Sequence, residues 1–250
     1  MGINIKSERE IALMRQAGRI TATVLEMLAG LVKPGLKTKE LDIIAERELK
    51  KLGGIPSFKG YHGYPASLCV SINDEIVHGI PGERVIKDGD IVSLDFGAIY
   101  QGYQGDAAKT VGAGNLSLQA KELIQATEAS FFAGIAMARD GNRLYDISAA
   151  IQQCAEAKGF SVVREYTGHG IGKQMHEEPL IPNFGKPGSG PVLKKGMTFA
   201  IEPMLNIGDW HTKIAANQWT VSTVDGSLSS HYENTIVITD SDPEILTRAI

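Results

Sequence analysis

The sequence predicts an α+β protein with a mostly antiparallel sheet. Three observations carry that expectation. Helical periodicity comes in blocks, strand-like runs fall in groups between and after them, and strict strand–helix alternation is missing. The second helical block repeats the layout of the first: Gly35 and Gly53 are matched by Gly141 and Gly159, each 106 positions on. Finally, 250 residues with 43% hydrophobic and 22% charged content suit one large domain with a sizeable core. The chain is therefore read as a single domain over 1–250, with halves of roughly 1–110 and 111–250.

The elements follow in order. Ser7 and Glu10 form an S-x-x-E capping box, and Ile11, Met14, Gly18, Thr21, Leu25, Leu28 and Val32 recur at helical spacing until Pro34-Gly35. Thr38 is expected to cap a second helix with Leu41, Ile44, Ala45, Leu49 and Leu52 on one face, stopped by Gly53-Gly54. A third helix is expected over 117–139, broken at Asp140-Gly141. A fourth carries Ile147, Ile151 and Cys154 and ends at Gly159. The offset pairs Leu41 with Ile147 and Ala45 with Ile151, so one helix–helix–strand unit repeats, too few copies for a solenoid. Strands are expected over 67–72, 91–99, 197–205, 219–224 and 234–239, all β-branched or apolar runs bounded by turn residues.

Composition excludes several functions. The net charge of −4 does not suit a generic polyanion binder, and no DNA partner is expected. Residues 1–60 nevertheless hold 11 Lys/Arg against 7 Asp/Glu, a basic end. Two cysteines, Cys69 and Cys154, make no disulfide framework and point to a reducing compartment. No apolar run is long enough to span a bilayer, and 1–10 lacks a signal peptide's apolar stretch. A cytoplasmic protein without a membrane partner is expected.

Four segments carry chemistry. Asp95 sits in an apolar run, Ile91-Val92-Ser93-Leu94, where a carboxylate is costly unless paired or metal-bound. Gly97, Gly102 and Gly105 permit a turn that returns Asp106 beside it, and a cation would relieve their repulsion. His169 is flanked by Gly168 and Gly170, which would allow close approach of a ligand, and imidazole is the commonest transition-metal ligand. His176 lies seven residues further on, not at the helical zinc-site spacing, so it takes a separate role. Glu202 closes one apolar strand and Glu233 opens another. One histidine and four carboxylates can hold two divalent ions. Such an oxygen-rich set suits Mn or Fe, and Co or Zn less selectively.

These residues lie in seven ordered motifs: Val77-His78-Gly79-Ile80-Pro81, Lys87-Asp88-Gly89-Asp90-Ile91-Val92, Gly105-Asp106, Gly168-His169-Gly170-Ile171-Gly172, His176-Glu177-Glu178-Pro179, Ile201-Glu202-Pro203 and Tyr232-Glu233-Asn234-Thr235. In these the chain resembles the type I methionine aminopeptidases over essentially its whole length. The resemblance implies their pita-bread fold: pseudo-two-fold αβ halves with a curved, mostly antiparallel sheet covered by helices. It also implies metal ligands at Asp95, Asp106, His169, Glu202 and Glu233, and two non-ligand site histidines, His78 and His176. Phe58, Tyr61, Tyr64, Cys69, Met175 and Trp219 match positions around the pocket for the substrate's methionine side chain. Met175 departs from the aromatic residue often found there, a change that a polarizable thioether tolerates.

The implied activity is removal of the initiator methionine from nascent proteins and peptides with a small second residue. Two divalent metal ions (Mn, Fe, Co or Zn), with a monovalent cation nearby, would activate a water and polarise the scissile carbonyl. Glu202 would move the proton, His176 would donate to the oxyanion, and His78 would contact the scissile amide or the next residue. Nascent polypeptide N-termini are the expected partners, with transient ribosome association through the basic end and a monomeric state. Xaa-Pro peptidases share the metal motifs. They usually carry a further N-terminal domain, whereas only about 60 residues precede Tyr61 here.

Overall fold

The computed structural model describes residues 2–249. Helix α1 spans Glu8–Leu31. Its capping box forms: the Ser7 hydroxyl accepts from the Glu10 N–H, and the Glu10 carboxylate accepts from the Ser7 N–H at 2.9 Å. Ile11, Met14, Gly18, Thr21, Leu25 and Leu28 are buried, while Val32 lies past the helix end and is half-buried. Helix α2 spans Thr38–Lys51 and buries Leu41, Ala45 and Leu49; Ile44 is half-buried and Leu52 exposed. Thr38 is not its cap. It is already helical, and its hydroxyl exchanges hydrogen bonds with the Gly82 backbone. The Glu40 carboxylate instead takes the free Lys37 N–H at 2.8 Å.

Helix α3 spans Leu118–Ile135 behind the cap Ser117, ending earlier than its periodicity suggested. Helix α4 spans Leu144–Glu156. Its buried stripe runs through Ile147 and Ile151 to Ala155, so Cys154 falls on the flank and is only half-buried.

The 106-residue offset has a geometric counterpart. Gly35 and Gly141 both take positive φ, +91° and +87°, as do Gly53 and Gly159, +74° and +80°. The Gly35 N–H donates to the Ile86 carbonyl, and the Gly141 N–H donates to that of Leu193. Lys37 bridges Val85 as Arg143 bridges Val192, and Asp146 closes the start of α4 as Glu40 closes that of α2. Two αβ halves thus repeat one plan.

The main sheet has nine strands. They are β1 (Ile55–Pro56), β2 (Leu68–Ile72), β3 (Ile91–Tyr100), β4 (Tyr103–Gly112), β5 (Gly168–Gly170), β6 (Glu177–Ile181), β7 (Thr198–Ile201), β8 (Glu233–Val237) and β9 (Glu244–Ile245). All pairings are antiparallel. β1 and β2 share one edge of β3, followed in order by β4, β8, β7, β5 and β6, and β9 lies against the far end of β8. Side chains alternate across a strand. Val92, Leu94, Phe96 and Ala98 of β3 join α1 and α2 in one core, leaving Asp95 for the opposite face. In the other half Phe199, Ile201 and Ile236 meet α3 and α4.

The β3–β4 turn uses Gln101-Gly102, with φ of +47° and +82°, the two-residue geometry that suits the twist of a hairpin. Gly97 and Gly105 are strand residues and not part of the turn. A Cβ on Gly105 would lie 2.6 Å from the Gly18 backbone nitrogen, so that glycine lets α1 lie close on the sheet. The expected strand over 197–205 breaks at Glu202-Pro203, because proline lacks the N–H a ladder needs. It resumes as Met204–Asn206, paired with Ser161–Val162 and Ser229–His231. The expected strand over 219–224 shortens to Val221–Thr223, between Thr212–Ile214 and Glu75–Val77. Among the described residues, no helix is long and apolar enough to cross a membrane.

Candidate metal centre and pocket

Register brings the acids together. Cys69 on β2 faces Asp95 on β3, Asp95 faces Ala108 on β4, and Ala108 faces Glu233 on β8. Residues paired in this way share a face, as does Asp106, two positions before Ala108. The two hairpin acids are therefore diagonal neighbours, not directly opposite. Asp106 instead faces Gly97, which presents no side chain. Glu202 follows β7 directly, and the Asn183 side-chain amide donates to its carbonyl at 3.0 Å. Thr235 clamps the Asp106 backbone through two hydrogen bonds, 2.9 and 3.0 Å.

His169 on β5 pairs with Ala200 of β7. Its Nε2 stands 3.6 Å from Glu202 Oε1 and 4.0 Å from Asp106 Oδ2. Its Nδ1 lies 2.8 Å from the Gly170 carbonyl, which can only accept, so the proton sits on Nδ1 and Nε2 offers a lone pair to the acids. The flanking glycines answer to neighbouring strands, not to a ligand. A Cβ on Gly168 would lie 2.5 Å from the Ala200 carbonyl oxygen, and one on Gly170 2.2 Å from that of Glu178.

Burial pushes the Asp95 carboxyl up to about 7. Burial and the charge of Asp95 raise Asp106. Burial together with Asp106 and Asp95 raises Glu202, and burial with Asp106, Glu202 and Asp95 raises Glu233. Burial, with the charge of His176, holds His169 down to about 3. Asp95 Oδ1, Asp106 Oδ1 and Glu233 Oε1 are buried without hydrogen-bond partners. Divalent cations answer each of these features: they take up the orphaned oxygens, cancel the mutual repulsion and accept the imidazole lone pair. The donor set fits divalent metal binding.

Beside the acids lies a cavity of about 220 Å³. Each residue expected around the substrate lines it: Phe58, Tyr61, Tyr64, Cys69, His78, Met175, His176 and Trp219. The Tyr64 and Trp219 rings meet edge to face at 5.1 Å, and the Tyr64 hydroxyl donates to the Gly79 carbonyl at 2.9 Å. His176 sits with its ring centroid 4.3 Å from that of His169, and its Nδ1 is 2.7 Å from the Tyr61 hydroxyl. His78 holds a φ of +59°, and burial keeps its ring neutral, down to about 4. The next residue has to be glycine, because a Cβ on Gly79 would lie 2.1 Å from the Val70 carbonyl oxygen.

Sequence reasoning missed three residues. His62 lines the cavity, Tyr166 meets the His78 ring at 5.9 Å, and His231 lies 3.6 Å from Glu233. His62 stands in a single 3₁₀ turn, Tyr61–Gly63, and Tyr166 in a loop, neither long enough to show periodicity. His231 stands two residues before Glu233, but sequence spacing does not indicate which way its ring points.

A cluster of buried carboxylates and imidazole, open to an apolar cavity on a pseudo-two-fold pita-bread fold, is the architecture of a metal-dependent peptidase. The chain belongs to Metallopeptidase family M24, whose sequence profile matches residues 12–240. Within that family its similarity is to methionine aminopeptidases. It is 55% identical to the methionine aminopeptidase of Clostridium acetobutylicum over 98% of each chain. It is also 55% identical to methionine aminopeptidase 1 of Bacillus subtilis, over 97% of this chain and 98% of that one. The crystal structure of the Thermotoga maritima methionine aminopeptidase superposes with a TM-score of 0.98 at 46% identity, covering 99% of this chain and 100% of that one.

Proposed function

We propose that this metallopeptidase removes the N-terminal methionine from nascent proteins and peptides whose second residue is small. The observation that carries the reading is the contact between the acid cluster and a cavity lined by Phe58, Tyr64, Cys69, Met175 and Trp219, an apolar sleeve suited to an unbranched thioether. Asp95, Asp106, His169, Glu202 and Glu233 would hold two divalent ions, which when bound supply an activated water and polarise the scissile carbonyl. Glu202, the more exposed of the two acids bordering His169, takes the proton and returns it to the leaving amine. His176, oriented through Tyr61, donates to the developing oxyanion, and neutral His78 contacts the scissile amide.

Mn, Fe, Co or Zn would serve, as the O/N donor set is permissive. A monovalent cation near the centre, action as a single catalytic domain, a monomeric cytoplasmic state and transient docking on ribosomes through the basic end complete the reading. The deciding experiment measures hydrolysis of a Met-X-Ser series by chelated protein reconstituted with each metal in turn. Release of methionine only when X is small supports the proposal. Preferential cleavage of Ala-Pro would replace it with an Xaa-Pro peptidase.

A further inference from the structure

The five expected ligands include one imidazole, yet the fold brings a second to the same carboxylates. His231 is 1% exposed, and neither of its ring nitrogens has a hydrogen-bond partner. Each unmet buried polar group costs about 1–3 kcal/mol, so a ring left in this state calls for a partner. Its backbone is firmly fixed: the Thr110 hydroxyl accepts from the His231 N–H at 2.9 Å and donates to its carbonyl at 2.8 Å. The strand Ser229–His231 is also paired with Met204–Asn206.

His231 Nε2 lies 3.6 Å from Glu233 Oε2. That is too long for a hydrogen bond. It equals the separation of His169 Nε2 from Glu202 Oε1, 3.6 Å. Two donors that each bind one ion at roughly 2.0–2.2 Å stand apart by such a distance. The pattern extends further. Asp106, His169 and Glu233 bring one donor atom each within 4.8 Å of one another, and so do Asp95, His231 and Glu233. Asp95 Oδ1 and Glu233 Oε1, like the ring, lack partners. Two buried Asp–His–Glu triads thus share Glu233.

From this geometry we infer that His231 is a nitrogen donor to the ion held by Asp95 and Glu233, so that each ion of the pair has its own imidazole. The inference rests on the paired-ion reading above. It shifts the second position towards Fe, Co or Zn over Mn, because imidazole suits those metals better.

The test titrates the chelated full chain with Co(II) by calorimetry, comparing the unaltered protein with His231→Gln and His231→Ala. Pulsed electron paramagnetic resonance of the cobalt-loaded proteins counts coordinated nitrogen, and circular dichroism checks the fold. In the variants one of two binding steps weakens at least about tenfold while the other stays within about threefold, and the nitrogen signal falls. Two ions bound with affinities and nitrogen signals indifferent to His231 would overturn this inference alone, even if the preference for the second residue changed. Uptake of a single ion by the unaltered chain would overturn the paired-ion reading and this inference together.

Discussion

Glu202 and Tyr61 test the chemistry at the scale of single side chains. Glu202 borders both His169 and the cavity, where the proposed proton transfer would take place. Glu202→Gln keeps the shape and loses the base, so steady-state turnover of Met-Ala-Ser should fall by about 10²–10⁴-fold with the fold intact. Unchanged turnover after metal repletion would remove Glu202 from the proton path. The Tyr61 hydroxyl contacts His176 Nδ1 at 2.7 Å and fixes a ring that lines the cavity. One such hydrogen bond contributes about 0.5–1.5 kcal/mol, so Tyr61→Phe should lower kcat roughly two- to tenfold while KM moves less. A rise in KM alone would mean that Tyr61 only lines the cavity.

Packing between elements explains two residues far from the chemistry. Lys6 forms an ion pair with Glu177 at 2.6 Å, their side chains 6% and 8% exposed. Glu177 follows His176 and also accepts from the Gln174 N–H, so the pair pins the segment that carries His176. Removing one partner of a buried pair costs about 3 kcal/mol; Lys6→Met should show that loss in chemical denaturation, together with reduced kcat. Gly18 touches the C-terminal segment so closely that a Cβ would lie 2.4 Å from the Leu246 carbonyl oxygen. Gly18→Ala should therefore destabilise by about 1–3 kcal/mol, read as a lower Tm. These contacts also mark how far the sequence was legible. The capping box at Ser7, the stripes of α1 and α4, and the shared face of Asp95 and Asp106 on their hairpin follow from local chemistry and two-residue alternation. The engagement of Thr38 by Gly82, which leaves the cap to Glu40, and the meeting of the hairpin acids with His169, Glu202 and Glu233 depend on partners about 30 to more than 100 residues away, which periodicity cannot encode.

For the whole molecule the decisive quantity is the charge gathered at its centre. A ligand that binds only the folded state stabilises it, by about 2.7 kcal/mol at a free concentration 100-fold above Kd, so chelation should lower Tm. The loss should depend on pH. Asp95 is raised from 3.8 to about 7, so the folded chain keeps a proton that the unfolded chain has released, and stability falls as pH rises through that window. Asp106, Glu202 and Glu233 are raised in the same direction. His78, His169 and His231 are lowered to between about 3 and about 4 and act oppositely, but only up to their ordinary 6.5. Above pH 6.5 the acids act alone. The Tm of chelated protein should then decline with rising pH while that of metal-loaded protein does not. Parallel curves would show that the carboxylates are already compensated without metal.

The repeated plan of the two halves has a further consequence. Asp95 and Asp106 come from the first half, and His169, Glu202 and Glu233 from the second, with β4 lying against β8 at the join. Each Asp–His–Glu triad takes its aspartate from the first half and its other two donors from the second, so complete metal capture reports that the two have docked in register. A chain that has misaligned that join by one residue turns its acids to the wrong face. It is then inert as well as misfolded, and a partly assembled copy has no means of cutting the chains around it.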